Sequence, residues 1–316
     1  MKPILYVVRS FPGTFPARLR ELFEVRGDAP RPPPREALVR EAAGATVLAL
    51  TYLDRVDDGL LEPLPAVRHV ASYGVGVNHI DLDCCRRRGV LVTNTPGVVT
   101  DATADLAMGL LLAAARRIAE GDRVIRAGGW KEVDPRWMLG TQVTGKTLGI
   151  VGFGRIGQAV ARRARGFEMR VLYTSPRPVE FPGSERVALE ELLAQSDFVS
   201  LHIPLTAATE NLVSRERLRL MKRGAILVNT ARGQVVDDAA VAEALRDGQL
   251  AAAGLDVFRD EPRVPEAYRG IENVVLTPHI GSGSRETRQG MSRMVWDEIE
   301  RVATGQAPRH VVVPGG

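Results

Sequence analysis

The sequence predicts an α/β protein built from two doubly wound, parallel-sheet domains. Three observations point there. Short β-branched runs alternate with helical stretches along most of the chain, the pattern of strands joined by crossover helices. A glycine-rich turn, Gly152-Phe153-Gly154-Arg155-Ile156-Gly157, follows the apolar run 147–151 and opens a helical stretch at 158–166. That turn lies in mid-chain, so nearly half of the 316 residues precede it, enough for a separate domain with its own core.

In the first third, strands are expected at 4–8, 46–50, 69–72 and 90–93, with helices at 17–22 and 35–43 between them. The stretch Ala29-Pro30-Arg31-Pro32-Pro33-Pro34 must be a loop, because proline fixes φ and donates no hydrogen bond. One long helix, about 103–119, carries Leu106, Leu110, Leu111 and Ala114 on one face and links the two halves. The pattern then repeats with strands at 148–151, 170–173, 198–202, 225–229, 252–257 and 274–277, about the six that a doubly wound dinucleotide fold needs. A helix at 284–304 and a strand at 311–313 close the chain. They are too short to fold alone, so they should pack on the first unit and make it discontinuous. The expected domains are 1–98 with 285–316, and 99–284.

Composition excludes several classes of function. Only Lys2, Lys131, Lys146 and Lys222 are lysine, so 38 of the 42 basic residues are arginine and account for the pI near 9.3. They are scattered among acids, as in Arg215-Glu216-Arg217, whereas nucleic-acid binding wants a clustered basic stripe. Such arginine excess fits a GC-rich genome or a thermophile, and composition does not separate them. The neighbours Cys84 and Cys85 are the only cysteines; they cannot build a disulfide framework and read as buried thiols in a reducing compartment. The apolar run at 4–8 is too short for a leader, and no run approaches a membrane span; the cytoplasm is expected. His69, His79, His202, His279 and His310 show no ligand spacing, so no metal site is expected.

The glycine turn carries the first functional signal. Its first glycine permits the tight turn, its second lets backbone approach a pyrophosphate, and its third lets helix and strand pack closely. Backbone N–H groups at the helix start then bind phosphate oxygens. Three ionisable residues stand at later strand ends: Arg232 in Asn229-Thr230-Ala231-Arg232-Gly233, Glu261 in Arg259-Asp260-Glu261-Pro262, and His279 in Thr277-Pro278-His279-Ile280-Gly281. Open α/β sheets bind ligands beyond the carboxyl ends of their strands. A guanidinium there can hold a carboxylate bidentately. An imidazole can donate a proton to a carbonyl oxygen as hydride reaches its carbon. A carboxylate beside that imidazole stabilises its charged form and fixes its orientation.

On these motifs the chain resembles the D-isomer-specific 2-hydroxyacid dehydrogenase family over essentially its full length. The spacings of 29 and 18 residues between Arg232, Glu261 and His279 resemble the family's, as does Gly254-Leu255-Asp256-Val257-Phe258. The resemblance implies a Rossmann nucleotide domain plus a smaller flavodoxin-like substrate domain. It implies that Arg232 binds the substrate carboxylate, that His279 is the acid/base and that Glu261 is its partner. It places Thr103, Gly152, Gly154, Arg155, Ile156, Gly157, Ser175, Arg177, Pro204, Thr230, Ala231, Arg232, Asp256, His279 and Gly281 at the cofactor, Asp256 on the nicotinamide carboxamide. The turn Ser72-Tyr73-Gly74-Val75-Gly76-Val77-Asn78 resembles a carboxylate-binding turn, with the N–H groups of Val75 and Gly76 facing an anion. Within the family, Thr95-Pro96-Gly97 through Asp105 and Gly129-Trp130 are most similar to glyoxylate/hydroxypyruvate reductases. Trp137 either reaches a partner subunit's substrate pocket or packs in a dimer core; a homodimer is expected.

NAD-specific folds place an acid at the end of the second strand of the nucleotide domain, on the ribose 2′-hydroxyl. No Asp or Glu occurs from Met169 to Val179, whereas Ser175 and Arg177 stand where a 2′-phosphate would lie. NADP(H) is therefore favoured over NAD(H), although Pro176 falls where related NADP-users often have arginine. Alternatives remain open: another 2-oxoacid reductase, a phosphoglycerate dehydrogenase, or a nicotinamide-sensing corepressor-like binding protein. The end of the chain at Gly316 speaks against the form of phosphoglycerate dehydrogenase with an added regulatory domain, and the absence of interaction tails favours an enzyme.

Overall fold

The alternating runs build two sheets, each in its own unit. The structure is a computed structural model and describes residues 2–315. The first unit ends at Val99 and resumes at Gly283, and the second runs from Thr100 to Ser282.

The first unit begins β1 (Ile4–Val7), α1 (Ala17–Leu22), β2 (Glu24–Gly27), α2 (Arg35–Glu41) and β3 (Ala45–Thr51). It continues α3 (Asp58–Leu61), β4 (His69–Tyr73), α4 (Leu82–Arg87) and β5 (Leu91–Thr93). The second unit opens with α5 (Thr100–Ala115) and α6 (Ile118–Arg126), followed by β6 (Thr147–Val151), α7 (Arg155–Ala164), β7 (Arg170–Thr174) and β8 (Ser184–Arg186). Then come α8 (Leu189–Gln195), β9 (Phe198–Leu201), α9 (Arg215–Leu220) and β10 (Ala225–Asn229). Next are α10 (Asp238–Arg246), β11 (Leu250–Leu255) and β12 (Val274–Leu276). The chain returns to the first unit as α11 (Arg285–Ala303) and β13 (Val311–Val313).

The first sheet runs β13-β5-β4-β3-β1-β2, a flavodoxin-like 2-1-3-4-5 order extended by one strand. That added strand, expected at 311–313, is antiparallel, with Val311 opposite Thr93, on the edge of an otherwise parallel sheet. It arrives from a helix-to-strand return along the edge, and run direction leaves no trace in composition. One face is closed by Leu38, Leu60, Leu61, Cys84 and Cys85 over Tyr6, Leu48, Leu50, Val70 and Val92. On the other face α11 packs on β4, and Phe11 stacks between Tyr73 and Trp296 at centroid distances of 4.7 and 4.9 Å. Both thiols are buried, and burial pushes Cys85 up to about 11, so it is a packing group rather than a nucleophile.

The second sheet runs β12-β11-β10-β9-β6-β7-β8 and every pairing is parallel. This is the Rossmann order 3-2-1-4-5-6 with a seventh strand. Two strands were not anticipated, the polar edges β2 and β8. The expected 103–119 helix instead starts at Thr100 and stops at Ala115; Arg117 takes a left-handed φ of 54° before α6. Helices α5 and α7 cover one face through Leu110, Leu111, Val160 and Ala164, and α8, α9 and α10 cover the other through Leu192, Leu218, Val241 and Leu245. Because all seven strands are parallel, their carboxyl ends share one edge. The strand order reverses between β6 and β9, and ligands bind at such a switch point.

Candidate active site

Three loops at that edge hold the ionisable residues. After β10 the buried Asn229 amide donates to the Arg232 carbonyl (2.9 Å) and its oxygen accepts the Ala231 N–H (3.0 Å). This side-chain-to-backbone bonding curls the loop and presents Arg232 from its end. After β11 the Phe258 N–H donates to Glu261 Oε1 at 3.0 Å, which fixes one carboxylate oxygen. The other, Oε2, lies 2.6 Å from His279 Nδ1. His279 itself has a left-handed φ of 50°, a costly conformation for a side-chain-bearing residue. Its N–H is shared by the carbonyls of Asp256 (2.9 Å) and Thr277 (3.1 Å), which hold that turn in place.

Asp256 does more here than its motif suggested. It is 1 % exposed, and its carboxylate accepts from the Thr277 hydroxyl (2.6 Å), the Ile280 N–H (2.8 Å) and the Gly281 N–H (2.8 Å). It therefore organises the whole histidine turn. Burial pushes this carboxyl above the ordinary carboxylate range, and those donors only partly offset it. Glu261 behaves oppositely. Burial alone would raise it, but the His279 hydrogen bond and charge, the Phe258 N–H and the Arg232 charge together hold it below its ordinary value. A folded value below the unfolded one contributes stability above the ordinary carboxylate range, and that contribution is lost as pH falls through the lowered value.

Gly233 brings the first two loops together. A Cβ there would stand 2.0 Å from the Phe258 carbonyl carbon and 2.3 Å from the Arg259 nitrogen, both backbone atoms that cannot step aside. Gly233→Ala is expected to cost about 3 kcal/mol or more by overpacking, read as a fall in urea midpoint. An unchanged midpoint would show that the Arg232 and Glu261 loops are not in such close contact.

At the switch point the glycines of the turn separate into two kinds. A Cβ on Gly152 would lie 2.6 Å from the His202 carbonyl oxygen, and one on Gly157 would lie 2.2 Å from the Gly152 oxygen. Both are forced by the protein's own packing. Gly154, the N-cap of α7, meets nothing within 4 Å of its Cβ position, so the protein's own packing does not require a glycine there. Thr230 Oγ1 is buried with no hydrogen-bond partner, a polar atom that a ligand amide would satisfy. Arg155 is exposed and Ile156 half-buried on the first turn of α7. Thr103 and Gly281 lie together, Thr103 Oγ1 being 3.6 Å from the Gly281 Cβ position, next to Asp256. Ala231 is buried, and the exposed Pro204 accepts from the Thr209 hydroxyl. This set fits a dinucleotide lying across the edge.

The Gly152 N–H donates to the Thr174 carbonyl (3.0 Å), tying the glycine turn to the end of β7. There the Ser175 hydroxyl donates to the Arg177 carbonyl, and the Arg177 guanidinium is exposed. Arg186, which sequence reasoning missed, reaches the same loop from β8, donating to the carbonyls of Ser175 (3.0 Å) and Pro176 (3.3 Å).

In the first unit, Val75 and Gly76 follow β4 on a tight turn. The Gly74 N–H donates to the Ser72 carbonyl (3.1 Å), and the Asn94 amide holds the Val75 carbonyl (2.8 Å). Trp137 is 43 % exposed on the loop beyond α6.

Residues 108–281 match the sequence profile of the D-isomer specific 2-hydroxyacid dehydrogenase NAD binding domain. The whole chain is 46 % identical to a glyoxylate reductase of Thermococcus litoralis, covering 99 % of this chain and 97 % of that protein. The chain belongs to the D-isomer specific 2-hydroxyacid dehydrogenases. Among solved structures, this dehydrogenase is similar to a protein of Thermus thermophilus, with TM-score 0.93, 47 % identity and coverage of 98 % and 100 %. It is also similar to an NADPH-dependent glyoxylate/hydroxypyruvate reductase of Sinorhizobium meliloti in complex with NADP and malonate, with TM-score 0.86, 32 % identity and coverage of 99 % and 97 %. As a dehydrogenase of this family it is an enzyme of nicotinamide-dependent hydride transfer on small 2-oxoacids and D-2-hydroxyacids. No helix among its described residues is long and apolar enough to cross a membrane.

Proposed function

We propose that this enzyme reduces glyoxylate and hydroxypyruvate to the corresponding 2-hydroxyacid, the D-isomer where the product is chiral, with NADPH as donor. The observation that carries the reading is the 2.6 Å His279–Glu261 pair beside the Arg232 loop. Arg232 holds the oxoacid carboxylate with its planar fork. Glu261 keeps His279 oriented through Nδ1, which leaves Nε2 to give its proton to the carbonyl oxygen. When bound, the reduced nicotinamide supplies the hydride to the carbonyl carbon. Hydride and proton together convert C=O to CH–OH, and His279 recovers its proton from solvent. Asp256 keeps the histidine turn in place and is assigned to the carboxamide end of the cofactor.

The substrate class follows the relatives, which are named glyoxylate reductases at 44–47 % identity. We assign 99–284 as the dinucleotide-binding domain and 1–98 with 285–316 as the substrate domain, whose Val75 and Gly76 N–H groups bind carboxylate. Exposed Ile118, Ile125, Trp130, Val133, Trp137 and Leu139 sit on α6 and the loop after it. A second copy of the chain is the proposed cover for that apolar set, making a cytoplasmic homodimer; a monomer by sedimentation would contradict it.

Steady-state oxidation of NADPH and NADH over a panel of 2-oxoacids tests the reading. The highest kcat/KM is expected with glyoxylate or hydroxypyruvate and NADPH. The carboxylate-free stretch after β7 removes the repulsion that would exclude a 2′-phosphate, so Ser175→Asp is expected to shrink or invert the NADPH preference. A wild-type enzyme preferring NADH would refute the cofactor assignment.

A further inference from the structure

The loop that receives the cofactor ribose is held from its neighbour strand. Tyr173 pairs with Arg186 in the β7–β8 register, which carries the Arg186 side chain to the carboxyl end of β7. There its Nε and Nη2 donate to the Ser175 carbonyl at 3.2 and 3.0 Å, and Nη2 also donates to the Pro176 carbonyl at 3.3 Å. The other end of the loop is pinned as well. The Tyr173 hydroxyl donates to the Val179 carbonyl (2.8 Å) and accepts the Val179 N–H (3.1 Å).

The partners of this guanidinium are neutral carbonyls, not carboxylates. Many surface arginines are paired with carboxylates, for example Arg163 with Asp101 and Asp105, and Arg170 with Glu185. Glu185, the chain neighbour of Arg186, is taken by Arg170, and no acid lies between Met169 and Val179. Neutral carbonyls fix the Arg186 fork without cancelling its charge, and its Nη1 donors have no acceptor among the described residues. An oriented, uncompensated guanidinium is the arrangement that binds a phosphate. Both arginines are exposed, but Arg177 contributes only its carbonyl to the loop's internal bonding, so binding must order its side chain at an entropic cost.

We propose that Arg186, from the edge strand, is the principal cation selecting a 2′-phosphorylated adenosine, with Arg177 secondary. The inference rests on the NADPH reading above and adds the residue that enforces it. The test is calorimetric binding of adenosine 2′,5′-bisphosphate and of 5′-AMP to the full-length wild type, Arg186→Gln and Arg177→Ala. Glutamine can still donate to the loop carbonyls but carries no charge, so thermal midpoints check that the loop stays intact. Loss of a charge-assisted contact is expected to weaken bisphosphate binding about ten- to a hundredfold in Arg186→Gln, with little change for AMP and a smaller loss in Arg177→Ala. If Arg177→Ala loses the discrimination and Arg186→Gln keeps it, the role of Arg186 is overturned while the NADPH reading stands. If the wild type binds both nucleotides equally, both fall.

Discussion

Replacing His279 by alanine is expected to slow oxoacid reduction about 10²- to 10⁴-fold, the usual loss for a positioned general acid, with NADPH affinity little changed. The separation follows from the geometry. The imidazole is oriented through Nδ1 by Glu261 at 2.6 Å and in the proposed mechanism acts at the reacting carbonyl, whereas the proposed phosphate cradle is the glycine turn and the start of α7. The turn itself hangs on the Asp256 carboxylate through Thr277, Ile280 and Gly281, so alanine should leave the fold in place. Single-turnover oxidation of NADPH with saturating oxoacid measures the step. Turnover near the wild-type rate at neutral pH would remove His279 from the chemistry.

The second large effect is expected from Arg232→Lys. An ammonium is a point donor and cannot reproduce a two-pronged contact with a carboxylate, so kcat/KM for the oxoacid should fall about a hundredfold. KM is expected to rise and kcat to fall together, because the carboxylate contact both binds the substrate and sets the carbonyl against His279. Lysine keeps the positive charge that helps hold Glu261 low, so the loss isolates the geometry of the fork from its charge. Unchanged oxoacid kinetics in this variant would mean that another group binds the carboxylate.

Much of this architecture was legible because its signals are local. The apolar strands of the second sheet and the glycine turn are contiguous runs, and Arg232, Glu261 and His279 each sit in a short strand-end motif. What escaped depends on pairing between distant segments. Strand β8 is Ser-Glu-Arg, with no β-branched residue; it exists because its backbone pairs with β7, and the position of Arg186 follows from that register. The break between α5 and α6 was hidden for a related reason. The apolar spacing continues across Arg117, whose left-handed turn is offset by its guanidinium bonding Glu120 at 2.6 and 2.8 Å. Asp256 looked like a ligand residue alone because the three donors it collects lie 21 to 25 residues further along.

The configuration of the hydroxyacid product tests the central claim most directly. Hydroxypyruvate reduced by the purified enzyme with NADPH should yield D-glycerate, resolved by chiral chromatography, and His279→Ala should yield almost none in the same time. L-glycerate from the wild type, or no consumption of any small 2-oxoacid, would contradict the assignment.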